Sequence, residues 1–417
     1  MKQEKRVPKR RFRAFAEAGE WNEAKLGDVA TFAKGIGYSK DDLVPKGTPV
    51  ILYGRMYTNY VTVIDAVDTY VEPLHGSIYS TGREVIVPAS GETAEDISIA
   101  SAVRQPDVLL GGDLNVISPD DAYNPTFLAL FLSRGKAKQE LSRKAQGKTV
   151  VHLHGGDLSD VDVVAPALKE QQQIGTFCCK LDDLITSHER KFQKLEHLKQ
   201  AYLAEMFPAK GERQPRRRFE GFSGDWEGKT LGDLLAFSNG FNGSREMYGH
   251  GIKYISVMDI LNNDYIVYDN IRGQVDVSEE TAKAFAVTYG DVLFQRSSET
   301  FDEAGTSNVY VDADRPAVFG GFVICGTKVD EYDPFFMKHL LDTKPVRHQI
   351  ISTAQGAQHI NVGQESLSHV QIFLPNMDEQ QKIGAFFRIM DKKLQSEHQK
   401  LAKLRALKQA YLSELFV

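Results

Sequence analysis

The feature that most constrains this 417-residue chain is that it is written twice. Glu170-Gln171-Gln172-Gln173-Ile174-Gly175 returns as Glu379-Gln380-Gln381-Lys382-Ile383-Gly384, and Lys199-Gln200-Ala201-Tyr202-Leu203 returns unchanged as Lys408-Gln409-Ala410-Tyr411-Leu412. The shift is 209 in both cases, from 170 to 379 and from 199 to 408. Upstream anchors follow in the same order at slightly different shifts. Trp21, Leu26-Gly27-Asp28 and Phe32 match Trp226, Leu231-Gly232-Asp233 and Phe237. Ser90-Gly91-Glu92-Thr93 matches Ser297-Ser298-Glu299-Thr300, Asn124-Pro125 matches Asp333-Pro334, and Ala145-Gln146-Gly147 matches Ala354-Gln355-Gly356. Between the anchors the copies differ freely. So long a period excludes a solenoid and leaves a duplicated domain pair, each copy a variable globular part with a similar tail.

The tails read as long helices. Ile174, Phe177, Leu181, Leu184, His188, Leu195, Leu198 and Tyr202 recur at spacings of three, four or seven. Ile383, Phe386, Met390, Leu394, Leu401, Leu404, Tyr411 and Leu415 do much the same. This is an apolar seam of coiled-coil type with charged residues on the other faces. Pro166 and Pro375 precede the helices, and Pro208 with Gly211 ends the first. At about 1.5 Å per residue, about 39 residues make a rod of about 58 Å. Such a rod cannot bury its seam alone, and the expected partner is the other copy, antiparallel about a pseudo-twofold axis. The bland alternative is two unrelated helices, each lying on its own domain.

The globular parts read as mixed α+β. Val61-Thr62-Val63-Ile64, Glu84-Val85-Ile86-Val87, Tyr254-Ile255-Ser256-Val257 and Asp291-Val292-Leu293-Phe294 look like strands. Thr126 to Arg134 and Phe335 to Leu341 look like short helices after an Asn-Pro or Asp-Pro start. The expected boundaries are a basic arm at 1–20, a first globular domain at 21–166, a helix at 167–208, a basic linker at 209–220, a second globular domain at 221–375 and a helix at 376–417.

Composition narrows the classes. With 42% hydrophobic and 25% charged residues the chain is not mostly disordered. No apolar run approaches the roughly 18–20 residues needed to span a bilayer, so no membrane role is expected. The basic start, MKQEKRVPKRRFRAF, has no apolar stretch behind it and does not read as a secretory signal. Cys178, Cys179 and Cys325 form neither a disulfide framework nor a CxxC pair, which points to a reducing cytoplasm. The net charge of −6 argues against a uniformly basic nucleic-acid binder, but not against one with basic groups on one face.

The layout resembles the specificity (S) subunit of type I restriction–modification systems. The resemblance covers essentially the whole chain. It rests on the tails EQQQIG…LKQAYL (170–203) and EQQKIG…LKQAYL (379–412), the openings Trp21 to Gly35 and Trp226 to Gly240, and the AQG segments from Ala145 and Ala354. It implies that each globular part is a target recognition domain reading one half of a split site in double-stranded DNA. It implies that the helices set the half-site distance and dock two modification (methyltransferase) subunits. Catalysis and S-adenosylmethionine would belong to those partners, with no cofactor or metal in this chain, and a translocase/nuclease restriction subunit is a further partner of such systems. Facing the same side of DNA, two reading domains would lie about one helical turn apart, roughly 34–36 Å. Unlike globular sequences imply an asymmetric target.

Phosphates call for Lys, Arg, Ser, Thr and backbone amides, whereas base edges call for Arg, Asn and Gln. Three regions of each copy offer such groups. The first holds Tyr38, Ser39 and Lys40, against Asn242, Ser244 and Arg245. The second holds Arg55, Tyr57, Asn59 and Tyr60, against Met258, Asp259, Asn262 and Asn263. The third holds Lys144, Gln146, Gly147, Lys148, Thr149 and His152, against Gln355, Gly356, Gln358, His359 and Asn361. Arg83 and Arg296, with Ser297, flank the SGET and SSET turns. Any one of these could be an ordinary solvated loop residue; the Gln-Gly segments are the strongest, because they survive in both copies. The basic stretches Lys2 to Arg13 and Lys210 to Arg218 are expected near phosphate or as loose tethers.

Other patterns have plainer readings. Asn124-Pro125-Thr126-Phe127 resembles the NPP(Y/F) motif of adenine-N6 methyltransferases but lacks the second proline; a helix start explains it. Phe32-Ala33-Lys34-Gly35-Ile36-Gly37 resembles a cofactor loop but lacks a preceding acid; a turn explains it. His152 with His154, and His188 with His197, lack a third ligand for a metal. Cys178-Cys179 is expected to fill the helix seam. The competing reading of the whole is a coiled-coil scaffold whose globular ends bind proteins.

Overall fold

The computed structural model describes residues 6–147, 149–356 and 358–417. The contacts divide the chain into two compact units: the chain up to Glu189 together with Lys400–Val417, and Arg190–Gln399. Both divisions fall inside the long helices, so each unit combines the start of one helix with the end of the other.

In the first unit, a five-stranded sheet runs in the order Ala30–Lys34, Leu114–Pro119, Val85–Pro88, Ser101–Val103, Val63–Ile64. It is antiparallel except for its last pair. A four-stranded sheet orders Leu109–Leu110, Thr48–Ile51, Tyr70–Val71 and Leu43–Val44. Two short ribbons complete the unit: Asn22–Lys25 with Asp162–Ala165, and Ser90–Gly91 with Val151–His152. Asn124 starts the helix Pro125–Leu132 by accepting the Phe127 N–H at 3.0 Å, so the Asn-Pro motif is an N-cap with Pro at the first helical position. That helix is apolar nearly all round and packs with Trp21, Leu26, Val85 and Ile117.

The second unit repeats this plan. A four-stranded antiparallel sheet runs Leu235–Asn239, Val323–Lys328, Val292–Gln295, Ser307–Val309. A second orders Gly273–Val275, Tyr248–Ile255, Ala317–Phe319 and Ala286–Val287. The ribbons are Glu227–Thr230 with Gln371–Leu374, and Ser297–Ser298 with Ile360–Asn361. Val257, expected in a strand, instead opens the helix Val257–Leu261, because Ser256 and Asp259 form a capping box there. Asp333 caps Pro334–Leu341 by accepting the Phe336 N–H at 2.8 Å.

The long helices are Leu168–Glu205 and Met377–Glu414, 38 residues each. In the first unit Phe177 meets Tyr411 edge-on at 4.9 Å, Asp182 pairs with Lys408, and Glu189 pairs with Arg405 at 2.6 Å. Numbers rise on one helix as they fall on the other, so the packing is antiparallel. The second unit gives the same order: Lys191 with Glu397 at 2.6 Å, Lys199 with Asp391 at 2.7 Å, and Tyr202 edge-on to Phe386 at 4.9 Å.

The buried stripe of each helix faces a globular core as well as the other helix. Ile174 and Cys178 join the first unit's core together with Leu412, while Ile383, Phe387 and Met390 join the second unit's core together with Leu203. Leu181 is buried, and Phe177, Leu195, Tyr202, Phe386, Leu404 and Tyr411 are half-buried. Leu198, expected in the seam, is 42% exposed, and Leu184 points out too. Cys178 is core rather than seam filler, and burial pushes its thiol up to about 12.

One repeated glutamine fastens each helix to its domain. The Gln171 side chain accepts the Asn124 N–H at 2.9 Å and donates to the carbonyls of Ala122 and Pro166. Gln380 accepts the Asp333 N–H at 3.1 Å and donates to the Pro375 carbonyl. The neighbouring glutamates carry a second fastening. Arg11 forks onto Glu170 with two 2.7 Å hydrogen bonds, and Arg218 forks onto Glu379 with two more at 2.7 Å. Arg10 pairs with Glu414 and lies over the Tyr411 ring; Arg217 pairs with Glu205 and lies over the Tyr202 ring. Phe12 meets Phe177 as Phe219 meets Phe386. The arm before Trp21 and the linker before Trp226 are therefore one repeated element, Arg-Arg-Phe. This corrects the expectation of loose tethers at these residues: Arg218 is paired with buried Glu379, and Arg217 is paired with Glu205 at the surface.

Candidate nucleic-acid interface

The Gln-Gly segments adopt one conformation in both units. Each follows a helix, Gly135–Lys144 or Lys344–Thr353. The Gln146 and His152 backbones exchange hydrogen bonds at 2.9 and 2.7 Å, closing a small hairpin; Gln355 and Asn361 do the same at 3.0 and 2.8 Å. Gly147 has φ +141° and Gly356 φ +136°, and a Cβ at either would overlap a carbonyl oxygen, of Val150 or of His359. Only glycine fits this turn. Gln146, Gly147, Thr149 and His152 are exposed, as are Gln355, Gly356, Gln358, His359 and Asn361. Lys148 lies outside the described residues.

Strand pairing brings the SGET and SSET segments to this hairpin. His152 sits opposite Ser90, and Asn361 opposite Ser297. In the first unit Tyr57 joins them, donating its hydroxyl to the Ser90 carbonyl at 2.6 Å; burial pushes that phenol well above its ordinary value. Lys40 and Arg245 open equivalent short turns, Lys40–Asp42 after Ser39 and Arg245–Met247 after Ser244, and both are exposed. Asn242, Asn262 and Asn59 are exposed as well. Among the described residues these places offer amides, hydroxyls, imidazoles and cationic groups at exposed positions, the donor and acceptor set that phosphates and base edges take up.

Four expected contacts stand elsewhere. Tyr38 is buried with Val50, Val71 and Leu109, and its hydroxyl bonds Ser77 and accepts the Leu74 N–H at 2.7 Å. Arg55 is held by Asp68 at 2.9 Å. Lys144 reaches Asp160 at 3.4 Å. Arg83 pairs with Asp121 at 3.2 Å and is not the partner of Arg296. The Arg296 N–H bonds the Phe322 carbonyl at 3.0 Å where the Ala89 N–H bonds the Asp113 carbonyl at 2.7 Å, so Arg296 corresponds to Ala89. The glycine run at Gly35 is a close backbone approach to Gly111, as Gly240 is to Gly320. His152 and His154 stack at 6.4 Å, and no cluster of three metal-ligating side chains occurs among the described residues.

The second unit carries a buried network that the sequence reading missed. His339 Nε2 lies 3.1 Å from Asp391 and 3.0 Å from the Tyr265 hydroxyl, which itself donates to Asp391 at 2.6 Å. Burial holds the His339 pKa below its ordinary value. Burial alone would raise the Asp391 carboxyl, but its hydrogen bond with His339 and the hydrogen bond and charge of Lys199 outweigh it and hold the carboxyl below the ordinary range. Six residues after each helix cap, Leu130 stands where His339 does.

No helix among the described residues is long and apolar enough to cross a membrane. A sequence model described as the type I restriction modification DNA specificity domain matches residues 18–197 and again 223–406. A specificity subunit of the type I restriction enzyme MjaIX from Methanocaldococcus jannaschii is 24% identical over 220 residues, and the match spans half of this chain and half of that relative. The MjaVIII specificity subunit of the same organism is 18% identical over 95% of this chain and 92% of its own length. The fold is similar to the S subunit of a type I restriction–modification system from M. genitalium, with TM-score 0.62, 14% identity, and 99% of each chain covered. A second solved structure, described as concerning complex assembly and conformational transition of the type I R-M system, matches with TM-score 0.52 and 17% identity over 95% of this chain and 97% of that one.

Proposed function

The chain belongs to the type I restriction–modification DNA specificity family, two copies of whose domain make it up, and we propose that each unit reads one half of an asymmetric bipartite target in duplex DNA. The observation that carries this reading is the pair of Gln-Gly hairpins. One backbone arrangement recurs in both units, yet its exposed side chains differ: Thr149 and His152 in one, Gln358, His359 and Asn361 in the other. A constant frame with changing donors and acceptors is what two unlike half-sites require. Two weak readers on one chain combine their affinities and specificities.

In this reading the chain is not catalytic. It works in the cytoplasm, away from membranes, with two modification subunits that carry S-adenosylmethionine and, in a restricting system, with translocase/nuclease subunits. The helices fix the spacer and dock the modification subunits. DNA contacts fall to the exposed residues Lys40, Asn59, Tyr57, Gln146, Gly147 and Thr149 with His152, to Asn242, Ser244, Arg245, Asn262, Arg296, Gln355, Gly356, Gln358, His359 and Asn361, and to the half-buried Ser297.

Methylation sequencing of cells expressing the chain with its modification subunit tests the proposal. A split motif with unlike halves and a fixed gap supports it, and methylation without such a motif overturns it. Salt separates it from the protein scaffold: DNA binding through phosphates weakens steeply as salt rises, whereas apolar docking does not. Calorimetry on the isolated chain is expected to register no S-adenosylmethionine binding until the modification subunit is added.

A further inference from the structure

Resting on that reading and deepening it, we propose that the residue after each Gly-Gly pair determines specificity: Phe322 packs on a thymine methyl group, and Asp113 accepts from a cytosine amine. Phe322 is 71% exposed, the most exposed large apolar side chain among the described residues. A ring left in water forgoes the gain of burial.

The ring stands on a rigid base. The Gly320 N–H bonds the Ile255 carbonyl at 3.0 Å, and the Val323 N–H returns to the Gly320 carbonyl at 2.9 Å. A Cβ at Gly320 would overlap Tyr254, and one at Gly321 would overlap Asn242, so the tip is packed tightly from below. Arg296 holds it from the side. Its N–H bonds the Phe322 carbonyl at 3.0 Å, and its guanidinium reaches the Gly321 carbonyl at 3.3 Å.

The tip also adjoins the Gln-Gly hairpin. The Arg296 carbonyl accepts the Val362 N–H at 3.0 Å, one residue past Asn361. Phe322 is thus two strand spacings from the hairpin, about 10 Å. The first unit keeps the same backbone pairing. Ala89 N–H bonds the Asp113 carbonyl at 2.7 Å, and the Ala89 carbonyl accepts the Leu153 N–H at 3.0 Å. The side chains change, Asp113 for Phe322 and Ala89 for Arg296, and so does the turn at the tip, where Asp113 has a positive φ and Phe322 does not. Asp113 is exposed and sits at φ +58°, a left-handed position that aspartate tolerates. In the major groove, thymine offers a methyl to apolar side chains and cytosine offers an amine to carboxylates.

The test uses the full chain with its modification subunit and the methylated genome of the expressing cells. Phe322→Ala is expected to relax one thymine-bearing position in one half-motif and leave the other half unchanged. Asp113→Ala is expected to relax a cytosine-bearing position in the opposite half. On a duplex carrying the motif, replacing that thymine by deoxyuridine should weaken wild-type binding by about tenfold and leave the Phe322→Ala chain insensitive. Thermal unfolding should be unchanged, since the ring is mostly in solvent. An unaltered motif in Phe322→Ala, or an equal deoxyuridine penalty in both chains, overturns the inference. A wild-type chain that yields no split motif overturns the reading beneath it before any variant is compared.

Discussion

The same Asp–Lys pair sits in two different settings. In the first unit Asp182 meets Lys408 with both side chains a quarter or more exposed. In the second, Asp391 meets Lys199 but is 6% exposed and also holds Tyr265 and His339. The difference comes from one helix position, Leu130 against His339, and from the loop that supplies Tyr265. A leucine lies in the first core and asks for no hydrogen bond. A histidine must be hydrogen-bonded when buried, and the carboxylate satisfies it. The repeated residues therefore fix a skeleton, and the positions between them vary both at the outward edge and within the core.

The largest expected effect tests whether the arm and the linker are one element. Arg11 and Glu170 are 9% and 2% exposed, and Arg218 and Glu379 are 15% and 0% exposed. Removing either arginine strands a buried carboxylate, at a cost of about 3–5 kcal/mol. Arg11→Ala and Arg218→Ala should therefore destabilise by similar amounts in urea unfolding, and each should weaken DNA binding only through lost folded protein. If Arg218→Ala unfolds normally while phosphate binding falls, the linker is a DNA contact and the equivalence is lost.

The glutamine clamps give the next effect. Gln171→Ala removes three hydrogen bonds and leaves the Asn124 N–H without its acceptor, and Gln380→Ala removes two. About 1–3 kcal/mol is expected for each, with Gln171→Ala the larger. Equal losses measured by denaturant midpoint would sink the bond-by-bond account. Gly147→Ala and Gly356→Ala probe the other end of the scale of exposure. Each forces a side chain into a left-handed turn already filled by a carbonyl, at about 1–3 kcal/mol of local strain. The hairpins are exposed, so methylation should lose definition in one half-motif per variant while the thermal midpoint moves little.

How much of this was legible depended on whether a residue's partner was local. Asn124 and Asp333 cap the helices they immediately precede, and the long seams carry their own period, so both could be read directly. The family resemblance rested on the same repeats. Arg11 and Arg218 could not be read, because each lies in a run of basic residues and the sequence does not say which one turns inward; the partner is about 160 residues away. Tyr38 looked like a loop residue. The close approach of Gly35 to Gly111 turns its segment over the small sheet, and the ring becomes core. Leu198 fitted the spacing of the seam, but it lies on the outward face of its turn, while Leu195, Lys199 and Tyr202 turn inward, and it stays in solvent. The Gln-Gly hairpins were legible as a recurrence. The tip at Phe322 and Asp113 was not, because the two residues share a backbone position and no chemistry.

The smallest effect at neutral pH is expected from His339→Leu, which gives the second unit the residue of the first. Asp391 keeps Lys199 and Tyr265, so the loss is about 1 kcal/mol at pH 7. The pH dependence is the sharper readout. Burial holds His339 below its ordinary 6.5 in the folded chain, so the unfolded chain takes up that proton first. The stability this neutral histidine permits is complete above about pH 6.5 and is lost as the pH falls below it. Asp391 acts lower, its contribution fading only as the pH drops through the carboxylate range. Unfolding followed between pH 7.5 and 5 should therefore show the wild-type chain losing stability more steeply than His339→Leu, with the two curves converging toward acid. A wild-type chain that instead gains stability relative to His339→Leu toward acid would mean that His339 is protonated in the fold, and that the buried cluster is an ion pair rather than a neutral ring resting on a carboxylate.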